Sequence, residues 1–251
     1  MRLRATVALM LTVSAAPVAA ERADLNVGGA FWWTQLDGTL DNGERLAVGR
    51  DLVLDSDDNV IAEATVTLGI PGRPELLFEY ARLGASGSTE VDRDLAIGDL
   101  TLIANRGTLD TRVRADDGLV ALRRTFRLGW LRVAPGVALR HVSGDVLYVE
   151  DAPLQGITRE RQAVSRTFPM AHLGLGIGAG RLRFEGRGHY VAHDSDRVFD
   201  LRGVLWMHPS PRQHLRIGVG WQLRDYRFSE ADGDGADLRV DGLQVLLGGR
   251  W

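Results

Sequence analysis

The chain has 251 residues, of which 45% are hydrophobic, 25% charged and 7% aromatic, with a formal net charge of −3 and no cysteine. That charged fraction excludes a helical membrane protein, and the apolar content excludes a disordered chain. The acidic balance leaves no basic field for nucleic acid, and the missing cysteines exclude disulfides, thiolate metal sites and a thiol nucleophile. All 30 positive charges are arginine.

Residues 1–20 have the three-part build of a secretory signal peptide. Arg2 and Arg4 precede the apolar stretch Ala5–Val13, and small residues close the segment at Ala19-Ala20. Its apolar core is too short to span a bilayer as a helix, which takes about 20 residues. Cleavage after Ala20 would remove both arginines and take the net charge from −3 to −5. Residues 21–251 are then one exported domain.

From Ala23 onward apolar residues recur at every second position, the signature of strands. Val27, Phe31 and Trp33 share one face of the first segment; Val60 to Ile70 and Leu76, Phe78, Tyr80 follow around the turn Pro71–Pro74. Val120 to Leu128 and Leu131 to Leu139 flank Gly129-Trp130, and Pro169 to Ile177 leads into Gly178-Ala179-Gly180. Leu182, Phe184 and Tyr190 then alternate with Arg183, Glu185, Arg187 and His189. Leu215, Ile217, Val219 and Trp221 alternate with Arg216, Gln222 and Arg224, and Leu243, Val245, Leu247, Gly249 and Trp251 close the chain.

Short connections alternate with long polar ones, Asp37–Asn59, Ser143–Thr167 and Ser229–Asp237, and the segments are about 10 residues long. Both features suit a closed antiparallel transmembrane β-barrel with short periplasmic turns and long extracellular loops, the all-β form that satisfies every backbone group in lipid. Ten strands are expected within a range of 8–12. They fall near 23–36, 60–70, 75–85, 118–129, 131–143, 168–178, 182–193, 199–208, 214–228 and 238–251, with 94–105 and 107–115 as two further candidates. Trp32, Trp33, Tyr80, Trp130, Trp206, Trp221, Tyr226 and Phe228 lie near segment ends, as interface girdles would. A soluble periplasmic β-domain is the competing architecture, since a sandwich also alternates.

Val27–Trp33, Asp51-Leu52-Val53-Leu54, Pro71–Tyr80 and Leu243–Trp251 resemble an uncharacterised family of small outer-membrane β-barrel proteins of Gram-negative bacteria. The resemblance implies an outer-membrane location and contact with outer-membrane lipid and lipopolysaccharide. It also implies reading of Trp251, Gly249, Leu247, Val245 and Leu243 by the barrel-assembly machinery.

In such a barrel Leu182, Phe184, Leu215, Ile217, Val219, Trp221, Val245 and Leu247 face lipid. Arg123, Arg127, Arg183, Glu185, Arg187, His189, Arg216, Gln222 and Arg224 line the lumen, where arginines and carboxylates neutralise one another in a packed polar interior or a narrow channel. The expected role is structural, surface-interacting or weakly permeating, with no catalytic site. The alternative is a lipid A-modifying hydrolase. His141 and Ser143 would share a strand face at the start of a long loop, with Asp145, Glu150 or Asp151 orienting the imidazole. Barrel-type lipid A deacylases are similar in pairing His with Ser, but Gly144 stands where they carry asparagine. No metal or cofactor is expected: His189 and His193 are about 13 Å apart on a strand. The acidic runs Asp55–Asp58 and Asp232–Asp234 read as solvated loops.

Overall fold

The computed structural model describes residues 24–250, apart from 43, 57–58, 71, 91–93, 98–99, 103–106, 153–155, 194–195, 210–213 and 230–234. The leader, Trp251, Asp57-Asp58 and the run Asp232–Asp234 lie outside the described residues.

Ten antiparallel strands form the wall: β1 (Asp24–Asn42), β2 (Asn59–Thr67), β3 (Glu75–Glu90), β4 (Thr108–Arg123), β5 (Leu131–Ala152), β6 (Gly156–Ala179), β7 (Leu182–His193), β8 (Asp196–Met207), β9 (Leu215–Ser229) and β10 (Gly235–Arg250). Each pairs with its neighbour in sequence, and β10 returns to β1 with Phe31 opposite Val245, so the sheet has no edge. The turns at one end are tight. Gly129 and Gly180 adopt φ of 63° and 59° there, a left-handed conformation that a side chain would strain. The opposite end carries the short strands Glu44–Val48 and Asp55–Ser56 and the hairpin Leu95–Ile97 with Leu100–Leu102.

Side-chain parity divides the barrel into two halves. In the half near the tight turns, outward positions are apolar and exposed: Phe31, Trp33, Phe78, Val120, Val137, Leu139, Leu173, Leu205, Val219 and Leu243 among them. Leu131 to Leu139 occupies nine positions, close to the about 9–11 residues of a tilted membrane strand. In the half near the long loops the sense reverses. On β5, Ser143 and Asp145 face outward, while Val142, Val146 and Tyr148 are buried inward. There Leu40, Leu46, Leu52, Ile97, Leu109 and Tyr148 form an apolar cap inside the barrel, built as a soluble protein builds a core.

This reversal corrects several boundaries. Residues 107–115 are not a separate strand; they are the upper half of β4, where Arg112, Arg114 and Asp116 face out and Val113 and Ala115 face in. Ser143–Thr167 is almost wholly a β5–β6 hairpin that pairs up to Ala152 and Gly156. The run 126–128 is a short strand of its own, paired with the start of β5. An apolar face that changes sides reads in sequence as an end of pattern, although the strand continues.

Candidate functional site

The lumen of the apolar-belted half holds one connected ion cluster. Parity places Glu63 of β2, Glu79 of β3, Asp117 of β4, Arg140 of β5, Arg187 of β7, Asp200 and Arg202 of β8 and Arg224 of β9 on the inner face. Four arginines and four carboxylates balance in charge.

Glu79 is the hub. It meets Arg187, Arg202 at 3.3 Å, Arg224 and, at 3.9 Å, Arg140. Glu63 takes Arg187 at 2.6 Å and Arg202 at 2.7 Å. Asp117 takes Arg224 at 2.9 Å, Arg140 at 3.1 Å and the Tyr226 hydroxyl. Asp200 pairs with Arg140 and accepts a bond from Gln222 Nε2 at 2.9 Å, and Gln244 donates in turn to Gln222 at 2.6 Å. His189 Nδ1 lies 3.3 Å from Asp200, and His189 Nε2 lies 2.7 Å from His172 Nδ1. Trp32 of β1 lies beneath the Arg224 guanidinium, with its ring centroid at 5.1 Å. With His172 of β6 and Gln244 of β10 counted, every strand contributes to this layer. Unpaired, such charges would be prohibitively costly away from water; here each is shared among several partners.

A second, smaller layer lies toward the tight turns. Glu185 pairs with Arg183 at 2.6 Å and Arg216 at 3.8 Å and accepts the Trp206 indole N–H at 3.0 Å, with Arg216 stacked over that ring. Nearer still, Glu75 holds Arg123 at 2.9 Å.

Of the lumen residues expected from sequence, Arg123, Arg183, Glu185, Arg187, His189, Arg216, Gln222 and Arg224 face inward. Arg127 does not: it is exposed on the short strand Phe126–Leu128 beyond the end of β4. Glu185 does not serve Arg187 or Arg224, whose partners are Glu63, Glu79 and Asp117. Asp200, Arg202 and Arg140 were within reach of parity, since outward Leu139, Leu201 and Gly203 put their neighbours inside.

Leu182, Phe184, Leu215, Ile217, Val219, Val245 and Leu247 face outward and are exposed, and Trp221 shares that face half-buried. Leu243 is also exposed, whereas Gly249 is covered. Among the aromatics expected at the girdles, Trp33, Tyr80 and Trp130 are exposed, but Trp32, Trp206, Tyr226 and Phe228 are buried inside.

His141 and Ser143 share the outward face of β5 just above the apolar belt, in mid-strand instead of at a loop start. His141 Nδ1 is bonded to Thr167 Oγ1 at 2.9 Å. Glu150 lies on the opposite, inward face and is buried, so it cannot orient that ring. Asp145 is outward but paired with Arg161 at 3.4 Å. Asp116, opposite Ser143 on β4, is held by the Tyr80 hydroxyl and Arg82, which keep its carboxyl below the ordinary carboxylate range. Asp151's side chain lies outside the described residues. Among the described residues no group of three or more His, Asp or Glu is placed to hold a metal ion.

The same rim carries an uneven charge pattern. On the β8–β10 side each outward arginine has an acid: Arg197 with Asp225 at 3.2 Å, Arg227 with Asp237 at 2.6 Å, Arg239 with Asp241 at 3.5 Å. On the β4–β6 side Arg112, Arg114 and Arg159 are exposed and, among the described residues, have no carboxylate partner.

No family model and no curated protein matches the chain. Solved structures do. The outer membrane protease OmpT from Escherichia coli is similar over 95% of this chain and 99% of its own, with a TM-score of 0.56 and 7% identity. The fold is that of an outer-membrane β-barrel. Ail, the attachment invasion locus protein of Yersinia pestis, aligns over 92% of this chain and 100% of its own at a TM-score of 0.38 and 11% identity. OpdK of Pseudomonas aeruginosa aligns over 91% and 99% at 0.27 and 9%. At 7% identity the likeness to OmpT extends to the fold and leaves the chemistry to this chain's own residues.

Proposed function

We propose that the protein is an exported, integral outer-membrane β-barrel with a closed lumen, working through the outer surface of its long-loop half. The observation that carries this reading is the neutral ion cluster to which every strand contributes, lying level with the apolar outward belt. A continuous water path would have to pass through it. The edgeless sheet and the exposed belt of Phe31, Val137, Leu173, Val219 and Leu243 support insertion in lipid, with the tight turns periplasmic and the long loops extracellular. Leu243, Val245 and Leu247, alternating outward along β10, support delivery by the barrel-assembly machinery.

With the lumen plugged, the role is structural and surface-interacting, not permeating. Arg112, Arg114 and Arg159, above the belt on the β4–β6 wall, suit the phosphorylated headgroups of lipopolysaccharide, since a guanidinium fork binds phosphate in a bidentate manner.

Membrane fractionation with heat-modifiable gel migration tests the location. The expected result is a membrane-bound protein whose unboiled form migrates anomalously; a soluble protein with ordinary migration overturns it. Planar bilayers test the plug. Silence is expected, and steady single-channel steps would overturn the closed lumen.

A further inference from the structure

Above the ion cluster and alongside the apolar cap, the barrel holds a partly open cavity of about 100 Å³. Its wall is made by inward side chains of the long-loop half, principally Leu83, Val142, Val146, Val164, Phe228 and Leu238. The space exists because Ala85, Ala115, Gly144 and Ala236 stand on the same wall, too small to meet across it.

The polar groups on the wall are largely spent on each other. Asn59 Nδ2 donates to Thr34 Oγ1 at 2.6 Å, and Asn59 Oδ1 accepts the Gly84 backbone N–H at 2.7 Å. The Tyr226 hydroxyl on the floor donates to Asp117, within the ion cluster. Arg114 and Asp145 belong to the wall through their backbone, because their side chains lie on the outward parity, Asp145 with Arg161. Gln162, level with Val146, is the one amide left near the space. A buried water needs two to four polar partners, which this wall does not supply; an apolar cavity of about 150 Å³ stays dry and takes up benzene. A dry void also forfeits the dispersion contacts that an apolar occupant would restore.

We infer that this chamber is a binding site for a compact, uncharged, apolar molecule no larger than benzene. The ion cluster closes the tight-turn side, so the molecule enters and leaves through the long-loop end. A charged ligand is excluded because no opposite charge faces the chamber to replace its hydration.

The test is a benzene titration of the full chain, folded in detergent micelles and labelled at its methyl groups for NMR. Methyls of Leu83, Val142, Val164 and Leu238 are expected to show saturable shifts. Those of Val219 and Leu243, on the outer belt, are expected to drift linearly as benzene partitions into detergent. Benzoate should give no saturable shift. Filling the space with Ala115→Leu, or with Ala236→Val should the first variant not fold, should abolish the saturable component while the β-barrel keeps its heat-modifiable migration. Lining methyls that merely follow the belt methyls, or saturation indifferent to a folded filling variant, would overturn the assignment. Neither result bears on bilayer conductance, so this site and the closed lumen fail separately.

Discussion

Arg140 and Asp200 stand 60 residues apart in the chain, on β5 and β8, and pair across the lumen with neither side chain exposed to solvent. Strands three places apart meet in this way on the inside of a curled wall, so the ion cluster ties distant strands together as well as filling the interior.

Removing one partner from this cluster should be costly. Glu79→Gln keeps the shape but strips the charge that Arg187, Arg202 and Arg224 share. A loss of about 3–5 kcal/mol is expected, read as a lower urea midpoint for the protein folded into vesicles. Replacing Arg140 and Asp200 together by Met and Leu should cost much less than either change alone, a non-additivity that a double-mutant cycle measures.

The outward belt predicts a depth-dependent penalty. Val219→Arg should cost about 2–4 kcal/mol in a vesicle-refolding assay, whereas Leu223→Arg, toward the polar rim on the same face of β9, should cost about 0–1 kcal/mol. Equal penalties at the two positions would contradict the placement of the belt.

On the rim, Arg112→Glu combined with Arg114→Glu should weaken binding of purified lipopolysaccharide at least tenfold. The same two reversals at Arg227 and Arg239, already paired with acids, should have little effect. Surface plasmon resonance on captured protein distinguishes them. A matching loss from both pairs would mean a general response to charge. Incubation with lipopolysaccharide should release no fatty acid, and release that depends on Ser143 would restore the hydrolytic alternative.

Asp116 gives a titration with a fixed sign. The Tyr80 hydroxyl, and after it Arg82, favour its ionised form, so its folded value lies below its unfolded one. The tie it makes between β3 and β4 therefore contributes fully above the unfolded value and is lost as pH falls through the lowered folded one. Carboxyl NMR should show that depressed midpoint, and Tyr80→Phe should raise it.

Strand type, antiparallel order and the outward residues of the belt were legible because lipid imposes one sign of alternation on every strand. Leu182 to Tyr190 is the plainest case: its charged face, from Arg183 to His189, lies in the lumen. Above the belt the legibility ends at identifiable residues. At Asp116-Asp117 one carboxylate faces out and its neighbour in, and a pair that falls between the candidate segments 107–115 and 118–129 is the middle of β4. Partner choice in the lumen was beyond reach for another reason. Parity gives direction, but only the height set by strand tilt decides that Arg224 finds Glu79 and Asp117 while Glu185 finds Arg183 and Arg216.

The reversal along β5, where Leu139 looks outward and Val142 inward, also fixes a waterline. Sinking the molecule by four residues would drag Ser143 and Asp116 into oil; lifting it by as much would strand a ring of Leu and Val in brine. Vertical position in the envelope is thus written into the strands themselves.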